Sequence, residues 1–351
     1  MLRWLLPCSL AVATMAAANA QRLVLIDQDG SGPGGSNQMA MMVLLQSPQV
    51  KVLGITMVSG NAWEPEEVAH TLRMLELIHR TDVPVVPGAV FPLLHTEAEA
   101  MHARAAEGSF PWYGAWGDLA AHTSAQPYHG PFVIPSMAEG EPTTKPLAED
   151  AAHFLIREVR AHPHQVTIYA AGPLTNIALA ISIDPEFAQL TQGIVIMGGS
   201  LNPRTDDPEF VTHPRHEFNF WFDPEAAHIT FWAKWPRITL TDVDISVKTR
   251  FTPEMMHEIA QSKSPSAQYI AKYTHEFYYL WDELAAIVDP VVVDFHTREL
   301  REDVSSDVDL GEDVLVYLHA HLRSAHAVAV RLADEVEVEV HFVVEFVRVN
   351  D

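Results

Sequence analysis

From Gln21 onward apolar positions begin with a short run from Leu23 to Ile26, and after the glycines between Gly30 and Gly35 a longer one covers Met39 to Leu45. The first is short and bounded by turn residues, which predicts a buried strand; the second predicts a buried helix. Val52 to Val58 reads as another strand. Pro65, Glu66 and Glu67 suit a helical first turn, and Val68, Leu72, Leu75 and Ile78 then recur at helical spacing before the strand Val83 to Val86. From His95 to Thr144 the rhythm is lost among Gly, Pro, His, Trp and Tyr, so this stretch reads as a long loop or small insertion over a site. Alternation returns with helix Ala148 to Arg160, strand Gln165 to Ala170, helix Leu174 to Ile181 and strand Gly193 to Met197. Helix Asp223 to Trp232 and strand Arg237 to Leu240 follow. Pro253 to Ala271 and Glu276 to Val288 read as helices, and Glu335 to Val349, alternating apolar and acidic, as a strand whose later half is also compatible with a helix.

Strands alternating with helices predict an α/β fold, an open, mostly parallel sheet flanked by helices in a Rossmann-like arrangement. With 351 residues, no internal repeat and no low-complexity linker, a single domain over 21–351 is the economical organisation, with the loop-rich insertion near 95–144 inside it. Residues 1–20 read as an export signal: Arg3, an apolar run through Leu5 to Ala13, and a small-residue close at Ala18, Asn19 and Ala20. That run is shorter than the roughly 20 residues a membrane span needs. The expected location is therefore the periplasm or the exterior, with no membrane contact after signal removal. Cys8, the sole cysteine, lies in that signal, which excludes thiol catalysis and zinc–thiolate sites in the mature chain. The formal charge of −24 repels phosphate backbones, so nucleic acid is not an expected partner.

The segment after the first strand carries the first candidate chemistry. Gly30, Gly32 and Gly35 fit the G-x-G-x-x-G spacing, but Pro33 removes a backbone donor and the second strand ends at Ser59-Gly60-Asn61 without an acidic ribose ligand. A phosphate-binding P-loop fails too, because Ser36 and Asn37 replace its lysine and hydroxyl. What remains is a pair of carboxylates, Asp27 and Asp29, leaving the carboxyl edge of the first strand, where open α/β sheets bind ligands. Taken alone, either could equally cap the following turn.

Several ordered blocks resemble the inosine-uridine nucleoside hydrolases, calcium-dependent enzymes that cleave the N-glycosidic bond of ribonucleosides. They are Leu25-Ile26-Asp27-Gln28-Asp29; Val58-Ser59-Gly60-Asn61; Ala171-Gly172-Pro173-Leu174-Thr175-Asn176 with Ile194 to Gly199; Glu217-Phe218-Asn219 with Asp223-Pro224-Glu225; and Asp282 before Val288-Asp289-Pro290. The resemblance implies that Asp29 is both a calcium ligand and the base that takes a proton from water. Asp282, the backbone carbonyl of Ala171 and Gln38 complete the implied metal set. Asn61, Glu217 and Asn219 would grip the ribose, Asn37 would meet its 2′-hydroxyl, and Trp281 would join the substrate site. A homodimer or homotetramer is implied as well.

That chemistry makes physical sense of the residue types. Breaking a ribosyl C–N bond builds positive charge on the sugar, so carboxylates belong around it, and a hard cation can share oxygen ligands between protein, water and the sugar diol. Here the sequence also departs from the family. Asn37 and Gln38 stand where paired aspartates begin the helix, after a turn about four residues longer, and Trp281 stands where many members have histidine. Two readings follow: an exported calcium-dependent N-ribohydrolase whose activity is impaired or altered by the lost aspartates, or a nucleoside- or ribose-binding protein on the same scaffold. The aromatic residues Trp63, Trp112, Tyr113, Trp116, Trp221 and Trp281 offer base stacking or plain packing.

Overall fold

The computed structural model describes residues 21–107, 112–117, 129–275 and 278–287. The export signal with Cys8, the block at Val288-Asp289-Pro290 and the strand expected over 335–349 lie outside the described residues. Six strands, β1 (Arg22–Gln28), β2 (Val50–Met57), β3 (Val85–Val86), β4 (Val166–Ala171), β5 (Gly193–Met197) and β6 (Ile238–Thr241), form one parallel sheet in the order β3-β2-β1-β4-β5-β6. Helices cover both faces, which is why β4 and β5 are buried along their whole length and read as near-continuous apolar runs, interrupted in β4 by Thr167. Side chains alternate between two cores. Val24, Ile26, Tyr169 and Ala171 face one of them, with Met39, Leu44 and Phe251; Leu25, Ile168 and Ala170 face the other, with Phe154, Ile177 and Phe187.

Helices α1 (Ser36–Gln46), α2 (Glu64–Leu77), α3 (Glu97–Glu107), α4 (Ala151–Ala161), α5 (Thr175–Ile183) and α6 (Phe187–Leu190) accompany the first five strands. The short α7 (Pro208–Thr212) and α8 (Phe218–Phe222) lead into α9 (Pro224–Trp232), and α10 (Val243–Ser246), α11 (Pro253–Gln261), α12 (Pro265–Tyr273) and α13 (Asp282–Ile287) follow β6.

Three sequence expectations need correction. The stretch 95–144 is not irregular throughout, since it holds α3, whose start is a capping box: Thr96 N donates to Glu99 Oε2 at 2.9 Å and Glu99 N to Thr96 Oγ1 at 3.2 Å. The helix expected over 253–271 is two, because Ser264 caps α12 through Ala267 N and Pro265 occupies its first turn. The helix expected from 276 begins only at Asp282, because Tyr279 pairs as a β-bridge with Arg250.

β1 sits at the sheet's centre with β2 on one side and β4 on the other, and the chain winds outward in both directions from there. Such a switch point leaves a crevice at the carboxyl ends of the two central strands. Gln28 pairs in register with both Met57 and Ala171, so the residues just beyond each strand meet at this crevice.

Candidate active site

The two carboxylates at the end of β1 diverge. Asp27 turns into the protein, where Thr56 Oγ1 and Asn176 Nδ2 donate to its Oδ2 at 2.5 and 2.8 Å. Burial pushes its pKa up to about 7 against those two donors. Asn176 also donates to the Met57 carbonyl and accepts from Ala89 N, so Asp27 and Asn176 tie β1, β2 and α5 together beneath the crevice.

Asp29 is the residue at the crevice itself. Asn61 N donates to its Oδ2 at 3.0 Å, and Asn37 Nδ2 to its Oδ1 at 2.8 Å. Glycines make this position possible. A Cβ at Gly60 would lie 2.1 Å from Asp29 Oδ2, and one at Gly172, directly after Ala171, would lie 3.1 Å from Asp29 Cγ. Burial, and then the charge of Asp282, hold the Asp29 carboxyl well above the usual carboxylate range.

Asp282 reaches this neighbourhood because α1 and α13 start side by side. The Ser36 hydroxyl accepts from Asp282 N at 3.2 Å and donates to Glu283 Oε2 at 2.6 Å, and Tyr169 OH donates to the Asp282 carbonyl at 2.9 Å. Burial, followed by the charge of Glu283, holds the Asp282 carboxyl well above its ordinary value. Two carboxylates from opposite ends of the chain are thus buried within electrostatic reach of each other.

The amide oxygens at the head of α1, and the Asn37 nitrogen, are committed to protein partners, while Gln38 Nε2 is buried without one. Asn37 Nδ2 lies 2.8 Å from Gln28 Oε1 as well as from Asp29, while its Oδ1 accepts from Asn61 Nδ2 at 3.1 Å. Gln38 turns aside: its Oε1 accepts from Gly34 N at 3.0 Å and from the Tyr269 hydroxyl.

Glu217 caps α8. Its Oε1 accepts from Asn219 N at 2.9 Å, and its Oε2 from Gly199 N and Phe220 N at 2.9 and 3.0 Å. Burial raises its pKa against these three donors. Two carboxylate oxygens offer about four acceptor positions, so three backbone donors leave roughly one for a ligand hydroxyl. Asn219 Nδ2 donates to the Met197 carbonyl at 3.1 Å, which places it at the end of β5. Trp281 packs edge-on against Tyr279 and Phe210, beside Asp282.

The structure adds residues that sequence reasoning had not singled out. Gln28 accepts from both Asn37 and Asp29 N. Its signal was a polar residue at the buried end of a strand. Glu67 accepts from Ala62 N at 2.8 Å, and its carboxyl is raised by burial and then by the charge of Asp29. Ser36 and Glu283 gave no signal, because their contact spans 247 residues.

The donor set suits a hard cation in its carboxylates. Asp29 and Asp282 are buried, the charge of Asp282 raises Asp29 while Glu283 and Glu217 raise Asp282, and no Lys or Arg is among the charges that chiefly shift either, so a cation would relieve them both. Gln38 does not contribute in this arrangement. Among the described residues no group of three or more His, Cys, Asp or Glu side chains is placed to hold a metal, so the remaining ligands would be carbonyl, water or sugar oxygens.

Comparison with known proteins bears on the same segments. The pattern of the family described as inosine-uridine preferring nucleoside hydrolase matches residues 24–342. "Probable uridine nucleosidase 2" of Arabidopsis thaliana is 29% identical over 262 residues, 75% of this chain and 71% of its own length. "Pyrimidine-specific ribonucleoside hydrolase RihA" of Enterobacter sp. (strain 638) is 30% identical over 249 residues, 71% of this chain and 68% of its own length. Among solved structures, a plant nucleoside hydrolase superposes with a TM-score of 0.57 at 25% identity, covering 76% of this chain and 77% of its own. A purine-preferring ribonucleoside hydrolase from Gardnerella vaginalis shares the fold with a TM-score of 0.60 at 20% identity, covering 87% and 98%.

Proposed function

The chain belongs to the inosine-uridine preferring nucleoside hydrolase family, whose members are metal-dependent hydrolases of N-glycosyl bonds, and on that premise we propose an exported, calcium-dependent ribonucleoside hydrolase. The observation that carries the proposal is Asp29, a carboxylate at the switch point of the sheet, fixed by Asn61 N and Asn37 Nδ2 and raised by the charge of Asp282.

In the reaction, a water oxygen bonds to the anomeric carbon while the C1′–N bond breaks and its electron pair leaves with the base. Asp29 takes the water's proton. The negative groups Asp29, Asp282 and Glu217 face the positive charge that grows on the ribosyl ring. Asn61, Asn219 and Glu217 hold the sugar hydroxyls, Asn37 lies on the 2′ side, and Trp281 walls the pocket. Calcium, held by Asp29 and Asp282 with the Ala171 carbonyl, would polarise the bound water and fix the sugar diol. Uridine is the first substrate to test, because relatives are named for uridine and for pyrimidine ribonucleosides. Arg3, the apolar run after it and Ala18-Asn19-Ala20 support export to the periplasm or beyond. The reading carries a homodimer or homotetramer and no nucleic-acid partner, the latter supported by the charge of −24.

A second reading has its own support. The Asn37 amide supplies two N–H groups to Asp29 and Gln28, which lets the crevice persist without a cation, as in a nucleoside-binding protein that does not turn over. Release of free base from uridine and inosine, measured with millimolar calcium and with chelator, separates the two. Hydrolysis that needs calcium and is lost in Asp29→Asn supports the enzyme. Nucleoside binding without base release under either condition overturns it in favour of the second reading.

A further inference from the structure

Trp112 stands in the short segment 112–117, which packs over the crevice through Ala115 N donating to the Gly60 carbonyl at 2.8 Å. Its indole Nε1 donates to Asn61 Oδ1 at 2.7 Å. Asn61 Nδ2 in turn donates to Asn37 Oδ1 at 3.1 Å, and Asn37 Nδ2 to Asp29 Oδ1 at 2.8 Å. The four side chains form one directed chain, each amide accepting on its outer side and donating on its inner side.

The chemistry of the two ends fixes that direction. An indole N–H can only donate, so the Asn61 atom facing it must be oxygen; the backbone N–H of Asp29 can only donate, so the Gln28 atom it meets is oxygen, and the Asn37 atom facing that oxygen must be nitrogen. With both ends specified, neither amide can turn over without setting donor against donor at Trp112 or acceptor against acceptor at Gln28 Oε1. Without the indole the inner end still orders the amides, through Asn61 Nδ2 on Asn37 Oδ1 at 3.1 Å and on the Asp29 carbonyl at 3.4 Å, but Asn61 Oδ1 loses the donor that holds it from the outer side.

We propose that Trp112 is a positioning residue, acting through Asn61: its N–H anchors the outer side of that amide, which keeps Asn61 in place for the ribose and Asn37 against Asp29. The inference rests on the reading of Asn61 as a ribose-gripping residue. Its distinguishing feature is transmission: the effect of Trp112 passes through one amide.

A double-mutant cycle tests it with Trp112→Phe, which keeps a ring and removes the N–H, and with Asn61→Ala. The cycle is run on kcat/KM for uridine, or on the calorimetric uridine Kd should wild type bind without turnover. Loss of one hydrogen bond predicts a roughly tenfold fall for Trp112→Phe in the wild-type background and less than about twofold in the Asn61→Ala background. The kcat is expected to fall as well as KM to rise, because Asn37 and Asp29 are affected along with ribose contact. Thermal unfolding of each variant verifies that the fold is kept. Equal losses in both backgrounds, or no loss in the first, overturn the proposal while leaving the ribose grip standing. An Asn61→Ala variant that behaves as wild type overturns the ribose grip instead, and a wild-type protein that neither binds nor hydrolyses uridine or inosine overturns both.

Discussion

Gly60→Ala adds one methyl group at the point where the Ser59–Asn61 turn crosses Asp29. The new Cβ would lie 2.1 Å from Asp29 Oδ2, 2.7 Å from Pro173 Cδ and 2.8 Å from Asp29 Cβ. Gly60 does not adopt a positive φ, so alanine suits its backbone and the penalty is steric. Restoring ordinary contact requires the carboxylate to move by about 1 Å, yet Asn61 N holds the same oxygen and Gly172 lies close against the other side of the side chain. A displacement of that size at a reacting group costs roughly 10²-fold in rate, about 2.7 kcal/mol of barrier. The overpacking itself should cost about 1–3 kcal/mol of stability, visible as a fall of several degrees in Tm. Steady-state uridine hydrolysis with thermal unfolding of the same preparation measures both. A variant with kcat within threefold of wild type and an unchanged Tm would refute the placement of Asp29 under this turn.

Glu217→Gln keeps the shape but leaves one oxygen for three backbone donors, so the best orientation still loses one charge-assisted bond. The expected cost is about 1.5–3 kcal/mol in urea unfolding, reduced by relief of the buried charge, together with weaker ribose affinity by calorimetry. The metal-free protein should lose stability as pH rises from about 4 to 9. Asp27 and Glu64, at about 7, and Glu283, at about 8, are carboxyls raised chiefly by burial, so the fold favours their neutral forms, and that contribution is lost as pH climbs from the unfolded values through these. His70 acts in the same direction: burial lowers its pKa, but hydrogen bonds to Glu139 and Glu66 outweigh that and lift it to about 9, so its contribution is complete below about 6.5 and gone above 9. Differential scanning calorimetry in chelator at pH 5 and pH 8 checks the sign, and a higher Tm at pH 8 would contradict it.

What could be read from the sequence was what local pattern encodes. β5 coincides with its expected span because a buried strand between glycines needs no tertiary information, and Asp29, Asn61 and Glu217 were singled out as candidates by motif order. α3 was legible in its Thr96-to-Glu99 capping box but obscured by the aromatic, Gly- and Pro-rich stretch around it. The direction in which each amide turns was not legible. Gln38 faces Tyr269, 231 residues away, and Ser36 joins Glu283 across 247, and no periodicity records such pairs. Trp112 was visible as an aromatic residue, whereas its indole N–H on Asn61 depends on a loop folding over the turn at Gly60.

Calorimetric titration of calcium into the protein, with ribose present, in wild type and Asp282→Asn, addresses the central claim most directly. Sharing of one ion by Asp29 and Asp282 predicts a single site per chain in wild type and its loss or a large weakening in the variant. No calcium heat in wild type, or an unchanged isotherm in Asp282→Asn, would contradict it.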